Sequence, residues 1–358
     1  MNWIRAEFDA PIHRVQARIE ADLAELERSG PPGVLWSTAM EAVRAIATGP
    51  RRMVRPQLVL LGHLGAGGDL SAPGLASFAA GVEVMHLFAL IHDDVMDHGT
   101  VRRGAPTLHR AIRSRLPLTE ASRSEHLAVL VGDLLHARSI SLLLEGCQAH
   151  PGGQAAMEII LKGSCRAAFG QFLDLQGWDG PAEDLSAGDF RRVLLDKGGH
   201  HSITAPLVAG WRLCWSSVPE SLVSWGDHVG LAFQGLDDLQ DILESPATLG
   251  KDSLQDLREG RLSLVGHLLR EQLSDDEWAE LTPSLGRGVM PAEVRMRLFR
   301  LFQRHQLVER GLAIVRHELD DARRCAAELP AGPLTEGLHE IGLRLSRFAD
   351  RLEKMPRP

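Results

Sequence analysis

The stretch Ala79-Ala80-Gly81-Val82-Glu83-Val84-Met85-His86-Leu87-Phe88-Ala89-Leu90-Ile91-His92-Asp93-Asp94-Val95-Met96-Asp97 decides the fold. Over residues 79–96 it is apolar almost all round, so no face is reserved for water. A helix of that kind lies buried in a bundle of other helices. It ends in carboxylates at positions i, i+1 and i+4, and residues four apart on a helix sit about 5–6 Å from each other. Asp93 and Asp97 therefore share a face. Carboxylates that close an apolar helix point into a cleft, and charge buried there needs compensation.

Working outward, residues 127–144, 155–175 and 203–215 have the same apolar character. Ile12, Val15, Ile19, Leu23 and Leu26 repeat at three or four residues behind a start signal of Asp9 and Pro11. Leu307, Leu312, Val315 and Leu319 predict another amphipathic helix, and Leu338, Ile341, Leu345, Phe348 and Leu352 a last one. No alternating strand pattern of useful length is visible. Short breaks at residues 29–33, 151–153, 177–181, 245–250 and 330–333 punctuate the helices, and none has the composition of an interdomain linker. One all-α domain over residues 1–358 is expected, without an internal repeat.

With 358 residues and 44% hydrophobic content, the chain has material for a sizeable core. Its 47 acidic and 39 basic residues leave a formal charge of -8, which gives no global basic field for nucleic acid. Any polyanion site must be local. Cys147, Cys165, Cys214 and Cys325 show no C-x-x-C spacing and lie in apolar stretches, as free thiols in a reducing compartment do. The N-terminus lacks the basic and apolar regions of a signal peptide. No uninterrupted apolar run reaches about 18 residues, so no membrane span is predicted and a cytoplasmic protein is expected.

A second acidic cluster, Asp237-Asp238-Leu239-Gln240-Asp241, repeats the i, i+1, i+4 spacing behind an apolar approach, Leu231-Ala232-Phe233-Gln234-Gly235-Leu236. Both clusters are trailed by cations: Arg102 and Arg103 after the first, Lys251 after the second. Clustered carboxylates repel unless something positive lies between them. Mg²⁺ suits such oxygen donors, because it binds a few carboxylates and completes its shell with water and substrate phosphates.

These motifs resemble the trans-isoprenyl diphosphate synthases of the polyprenyl synthetase family, over about residues 50 to 265. The family's two D-D-x-x-D motifs correspond to Asp93–Asp97 and Asp237–Asp241, and its G-K-x-x-R-P segment resembles Arg51-Arg52-Met53-Val54-Arg55-Pro56. E-x-x-H matches Glu83-Val84-Met85-His86, R-R-G-x-P matches Arg102-Arg103-Gly104-Ala105-Pro106, and G-D matches Gly132-Asp133. G-Q-x-x-D matches Gly170-Gln171-Phe172-Leu173-Asp174, while K-T-G-x-Y-T appears altered as Lys197-Gly198-Gly199-His200-His201-Ser202. F-Q and G-K fall at Phe233-Gln234 and Gly250-Lys251. This chain departs from the pattern at Arg52, where Lys is usual, at Met53, at Gly198, which lacks the threonine hydroxyl, and at His201.

The resemblance implies an isoprenoid synthase helical bundle around a central cleft. It implies head-to-tail joining of isopentenyl diphosphate to an allylic diphosphate: the allylic C–O bond ionises, the isopentenyl double bond attacks, and a proton leaves, taken up by the released diphosphate. By the same resemblance Asp93, Asp97 and Asp237 bind a cluster of about three Mg²⁺ ions, the number being the family's. Asp94, Asp238, Asp241 and Asp174 support them. Arg102, Lys197 and Lys251 contact the allylic diphosphate, with Gln234 nearby, and Arg52, Arg55, His86 and Arg103 hold isopentenyl diphosphate. Residues four or five positions before Asp93 lie one turn deeper, which makes Phe88 and Ala89 the floor that sets product length. The expected product is geranylgeranyl diphosphate, with farnesyl diphosphate second. A homodimer is expected from family habit. Two rival readings are a class I terpene cyclase, which would carry N-D-x-x-S-x-x-x-E in place of the second aspartate motif, and a regulatory subunit of a heteromeric synthase.

Overall fold

A computed structural model of the chain describes residues 8–48, 53–102, 104–116, 121–177, 187–214, 217–243, 254–286 and 290–357. Arg51, Arg52, Arg103 and Lys251 lie outside them. The chain resolves into two compact units: Met1–Glu158 with Ala209–Ser217, and Ile159–Val208 with Val218–Pro358.

The first unit holds α1 (Asp9–Ser29), α2 (Val34–Thr48), α3 (Val54–Gly65), α4 (Leu75–Met96), α5 (Leu108–Arg113), α6 (Ala121–Cys147) and the start of α7 (Gly153–Gln176). Buried on almost every side, α4 packs most extensively on α6 and also on α1 and α3, as its apolar sequence predicts. Two glycines set the α4–α6 spacing. A Cβ on Gly81 would come within 2.9 Å of the Leu143 nitrogen and the Ser139 carbonyl, and one on Gly146 within 2.6 Å of the Phe78 nitrogen. Any larger residue at either position would force the helices apart. α4 stops where His98 takes a left-handed φ of 50°.

After α4 comes an element with no sequence signature, an antiparallel pair of two-residue strands, β1 (Val101–Arg102) and β2 (Ala105–Pro106). Strands this short leave no alternation to read. Gly104 takes the left-handed conformation at φ 81° in the turn, and the Thr107 hydroxyl donates to the Gly99 carbonyl at 2.8 Å, tying the hairpin back to the end of α4.

The second unit continues α7 and adds α8 (Ala187–Leu194), a π-helical segment Leu195–Thr204, the start of α9 (Ala205–Arg212), whose residues from Ala209 on belong to the first unit, and α10 (Glu220–Leu243). It closes with α11 (Gln255–Glu259), α12 (Leu264–Gln272), α13 (Asp275–Leu281), α14 (Ala292–Arg304), α15 (Leu307–Ala327) and α16 (Pro333–Glu353). The apolar faces read from the sequence of α15 and α16 are buried, α15 lying against α10 and α16. Phe348 is the exception: it is half-buried, with the Arg351 guanidinium 4.5 Å from its ring. The π-helical segment meets α10 at a glycine pair. A Cβ on Gly199 would lie 2.8 Å from the Gly230 carbonyl carbon, so both positions must stay bare for the backbones to meet.

Two helices, Leu75–Met96 and Ser122–Cys147, have the length and hydropathy of a membrane span, so the expectation of none meets two candidates by composition alone. The first is mostly buried within its unit, whereas the second keeps an exposed apolar stripe that includes Leu130, 58% exposed, Leu134 and Leu144. On α7, Phe169 and Phe172 are also exposed.

Candidate functional site

The end of α4 sorts its carboxylates by depth. Asp93 and Asp97, one turn apart, are half-buried, while Asp94 is turned inward with 2% of its surface exposed. Arg102 is delivered to this cluster by the β1–β2 hairpin. Its Nε donates to Asp94 Oδ1 at 2.8 Å and its Nη2 to Asp93 Oδ2 at 3.1 Å. Burial pushes the Asp94 carboxyl above the usual aspartate range, against the pull of Arg102. Asp94 Oδ2 is buried without a hydrogen-bond partner among the described residues.

Next to this cluster, a side chain on Gly132 would overlap the His92 imidazole, so the bare glycine of the Gly132-Asp133 motif is a seat for that ring. His92 Nε2 lies 3.1 Å from the Val129 carbonyl and 3.6 Å from Asp133 Oδ1. One turn deeper on α4, the half-buried Phe88 packs its ring 4.7 Å from His136 of α6 and 5.1 Å from His92, with Ala89 beside it in sequence. Arg55 in the first turn of α3 and His86 on α4 are half-buried on helices that pack together. Met53 is buried at the head of α3 with a left-handed φ of 45°, a position of backbone constraint rather than of charge.

On α10 the same sorting recurs. Asp237 is exposed, while Asp238 and Asp241 are 4% and 3% exposed. Both Asp238 oxygens are taken: Gln234 Nε2 donates to Oδ1 at 2.9 Å and the Leu264 amide to Oδ2 at 2.7 Å. The Leu254 amide donates to the Asp241 carbonyl at 3.2 Å, so two bonds pin the end of α10 to the segment that follows it. Burial, with the neighbouring charge of Asp256 second, pushes the Asp238 carboxyl well above its ordinary value.

Asp174 of α7 is fully buried and accepts from Lys197 Nζ, from Arg261 Nη1 at 3.1 Å and from the Leu262 amide at 3.0 Å. Burial raises its carboxyl and the Lys197 charge works the other way. Gly170, four residues earlier on the same face, makes that pairing possible, since a side chain there would overlap the Lys197 backbone. Lys197 itself stands in the π-helical segment, a distortion of the kind found at functional sites. Behind it, Arg166 Nε donates to Asp196 Oδ1 at 2.7 Å, and the Thr204 hydroxyl donates to Asp227 at 2.6 Å. Burial works to raise the Asp227 carboxyl, but its bonds to His200 and Thr204 outweigh this and hold it low.

The sequence had singled out Asp174 and Lys197, but not the buried Arg261 that shares the carboxylate, nor Asp256, whose charge acts on both Asp174 and Asp238. The glycine before Arg261, left-handed at φ 72°, was the available signal. Among the described residues no three His, Cys, Asp or Glu side chains converge tightly enough to hold a metal ion by themselves. Oxygen-only donors, carboxylates one turn apart and the open Oδ2 of Asp94 nevertheless fit Mg²⁺, which draws on few protein ligands and on substrate phosphates.

Comparison with known proteins agrees with this arrangement. The sequence pattern of the polyprenyl synthetase family matches residues 37–294. The chain is 28% identical over 295 residues to a short chain isoprenyl diphosphate synthase of Methanothermobacter thermautotrophicus, covering 82% of this chain and 84% of the relative. It is 27% identical to a geranylgeranyl diphosphate synthase of Saccharolobus solfataricus, over 76% of this chain and 78% of that one. Among solved structures it is similar to a polyprenyl synthase from Caulobacter crescentus CB15 complexed with calcium and isoprenyl diphosphate, with a TM-score of 0.72, 26% identity and coverage of 96% and 98%. Given the aspartate clusters on α4 and α10, the Arg102 guanidinium seated on the first of them and the family match across most of its length, the chain belongs to the polyprenyl synthetase family of isoprenyl diphosphate synthases.

Proposed function

We propose that this protein is a Mg²⁺-dependent prenyltransferase that condenses isopentenyl diphosphate with allylic diphosphates to an all-trans short-chain product, geranylgeranyl diphosphate before farnesyl diphosphate. The observation that carries the reading is Arg102 lodged on Asp93 and Asp94 at the mouth of an apolar helix. A guanidinium already paired with carboxylates can exchange them for diphosphate oxygens, since its fork matches both. Lys197 on Asp174 is poised in the same way. The names of the archaeal relatives support the product class.

In this reading Asp93, Asp97 and Asp237 are the Mg²⁺ ligands, supported by Asp94, Asp238, Asp241 and Asp174. About three ions are expected, each taking few carboxylates. Mg²⁺ bound there would neutralise charge that builds on the departing diphosphate. Arg102, Lys197 and Lys251 bind that diphosphate and orient the allylic C–O bond, with Gln234 nearby. Arg52, Arg55, His86 and Arg103 hold isopentenyl diphosphate so that its double bond faces the allylic carbon. The apolar side chains of α4 exclude water from the cation, and Phe88 with Ala89 limits the growing chain. A single all-α domain over residues 1–358 belongs to the proposal, and α7 and α9, each with residues in both units, support it. Homodimerisation and a cytoplasmic location belong to the proposal, with α4 and α6 as bundle helices rather than spans.

Incubation with Mg²⁺, isopentenyl diphosphate and each of dimethylallyl, geranyl and farnesyl diphosphate tests it. Elongated diphosphates ending at geranylgeranyl, abolished by a chelator, are expected. A released hydrocarbon would establish the cyclase, and the absence of any product the regulatory subunit.

A further inference from the structure

The Lys197-Gly198-Gly199 run offers one contact that the proposed chemistry does not explain. A Cβ built on Gly198 would overlap Gln234 Oε1, which is the far end of a flexible side chain, and among the described residues its other close neighbour is the Gln234 Cδ at 3.4 Å. No backbone of another described segment stands in the way. The space above Gly198 is therefore filled by the Gln234 amide, whose other end donates to Asp238 Oδ1 at 2.9 Å. Asp238 is buried and its second oxygen is held by the Leu264 amide at 2.7 Å. Neither carboxylate oxygen is left to turn, so the peptide that carries the adjacent, exposed Asp237 is fixed as well.

We propose that Gly198 and Gln234 form a matched pair, in which the missing side chain at 198 holds the Gln234 amide on Asp238 and so aims Asp237. Gln234 is then a positioning residue that works through Asp238, and it does not touch diphosphate. Gly198, one of two departures from the family pattern in this segment, is the space that this rotamer requires. The inference rests on the proposed function in that Asp237 is taken as a metal ligand, but the contact itself is independent of any reaction.

A double-mutant cycle separates the two. Gly198→Thr displaces the amide, Gln234→Leu removes its bond to Asp238, and the combination does both. If the residues form a pair, the double variant loses no more than Gln234→Leu alone, both in kcat and in the thermal unfolding midpoint without substrate. Each single variant is expected to lower kcat by about 10- to 100-fold, as loss of a second-layer support does, with both KM values within about threefold. Mn²⁺ binding in the presence of inorganic pyrophosphate, followed by electron paramagnetic resonance, weakens by about tenfold in parallel. Gly198→Ala carries the overlapping atom alone and replaces the threonine variant if that one fails to fold. Losses that multiply in the double variant, or a Gly198→Ala protein with unchanged kcat and Mn²⁺ affinity, would overturn the pairing. A KM that rises while kcat holds would make Gln234 a diphosphate ligand instead. An inactive wild type removes the proposed function while the unfolding cycle still decides the contact.

Discussion

Asp174 carries two cations on one buried carboxylate, and that makes it the most sensitive single residue of the second unit. Arg261 is 4% exposed, so removing the Asp174 charge leaves its guanidinium with the longer contact to Glu259 at 3.4 Å, where water cannot replace the lost bond. Asp174→Asn should cost about 3 kcal/mol, the low end for breaking a buried ion pair by removal of one partner, read as a lower urea midpoint with unchanged slope. An unchanged midpoint would contradict it. Asp94, Asp174 and Asp238 share a second property, since burial raises all three carboxyls. An aspartate whose folded pKa is raised stabilises the fold below its unfolded pKa and loses that contribution as pH rises through the folded value. Mg²⁺ needs the ionised form, so its stabilising effect must grow over the same range. The thermal shift on adding Mg²⁺ should grow as pH rises from the acidic side, and a shift that does not change with pH would rule out these carboxyls as its sensors. The acids were legible in the sequence because their i, i+4 spacing is itself the geometry. Arg261 and Asp256 were not, because a single basic or acidic residue after a turn looks the same whether it faces water or a buried partner.

The helices legible in the sequence were those with an apolar run or an apolar period. The all-round apolar run of α4 and the three- and four-residue repeats of α15 and α16 were readable because the 3.6-residue period is imposed by the core they face. The β1–β2 hairpin was not, although it is the element that brings Arg102 to Asp93 and Asp94, because two-residue strands hold no period. The π-helical segment escaped for a different reason: it is a local widening of a continuous helix, and the Gly199–Gly230 contact it contains joins residues far apart in the sequence. On α4, the tilted contact of Phe88 with His136 gives the proposed floor a second wall from α6. Phe88→Ala should shift the product distribution towards chains longer than geranylgeranyl diphosphate, and adding His136→Ala should lengthen it further. Chromatography of the dephosphorylated products checks this, and an unchanged distribution in both variants would remove Phe88 from that role.

At the scale of the whole chain, the region beyond residue 265, which holds no recognisable motif, turns out to be the packing support of α10, with α15 against the helix that carries Asp237 and Asp241. Its arginines sit largely in outward pairs such as Arg316 with Glu353 at 2.7 Å, worth little each in water. What the chain leaves uncovered is more telling. Leu130, Leu134 and Leu144 are exposed at intervals that keep them on one side of α6, and burying such apolar surface returns about 25 cal/mol per Å². An apolar stripe of this kind marks either an association surface or a membrane contact. α6 also carries Asp133 and Arg138 within its length, and Arg138 pairs with the buried Asp22 of α1. A second copy of the chain is the occupant consistent with the proposed homodimer. Analytical ultracentrifugation without detergent should therefore give a dimer for the natural sequence, and Leu130→Asp with Leu134→Asp should shift it to monomer while far-ultraviolet circular dichroism stays the same. A monomeric natural protein, or one that sediments as a single species only in detergent, would assign the stripe to lipid and withdraw the dimer.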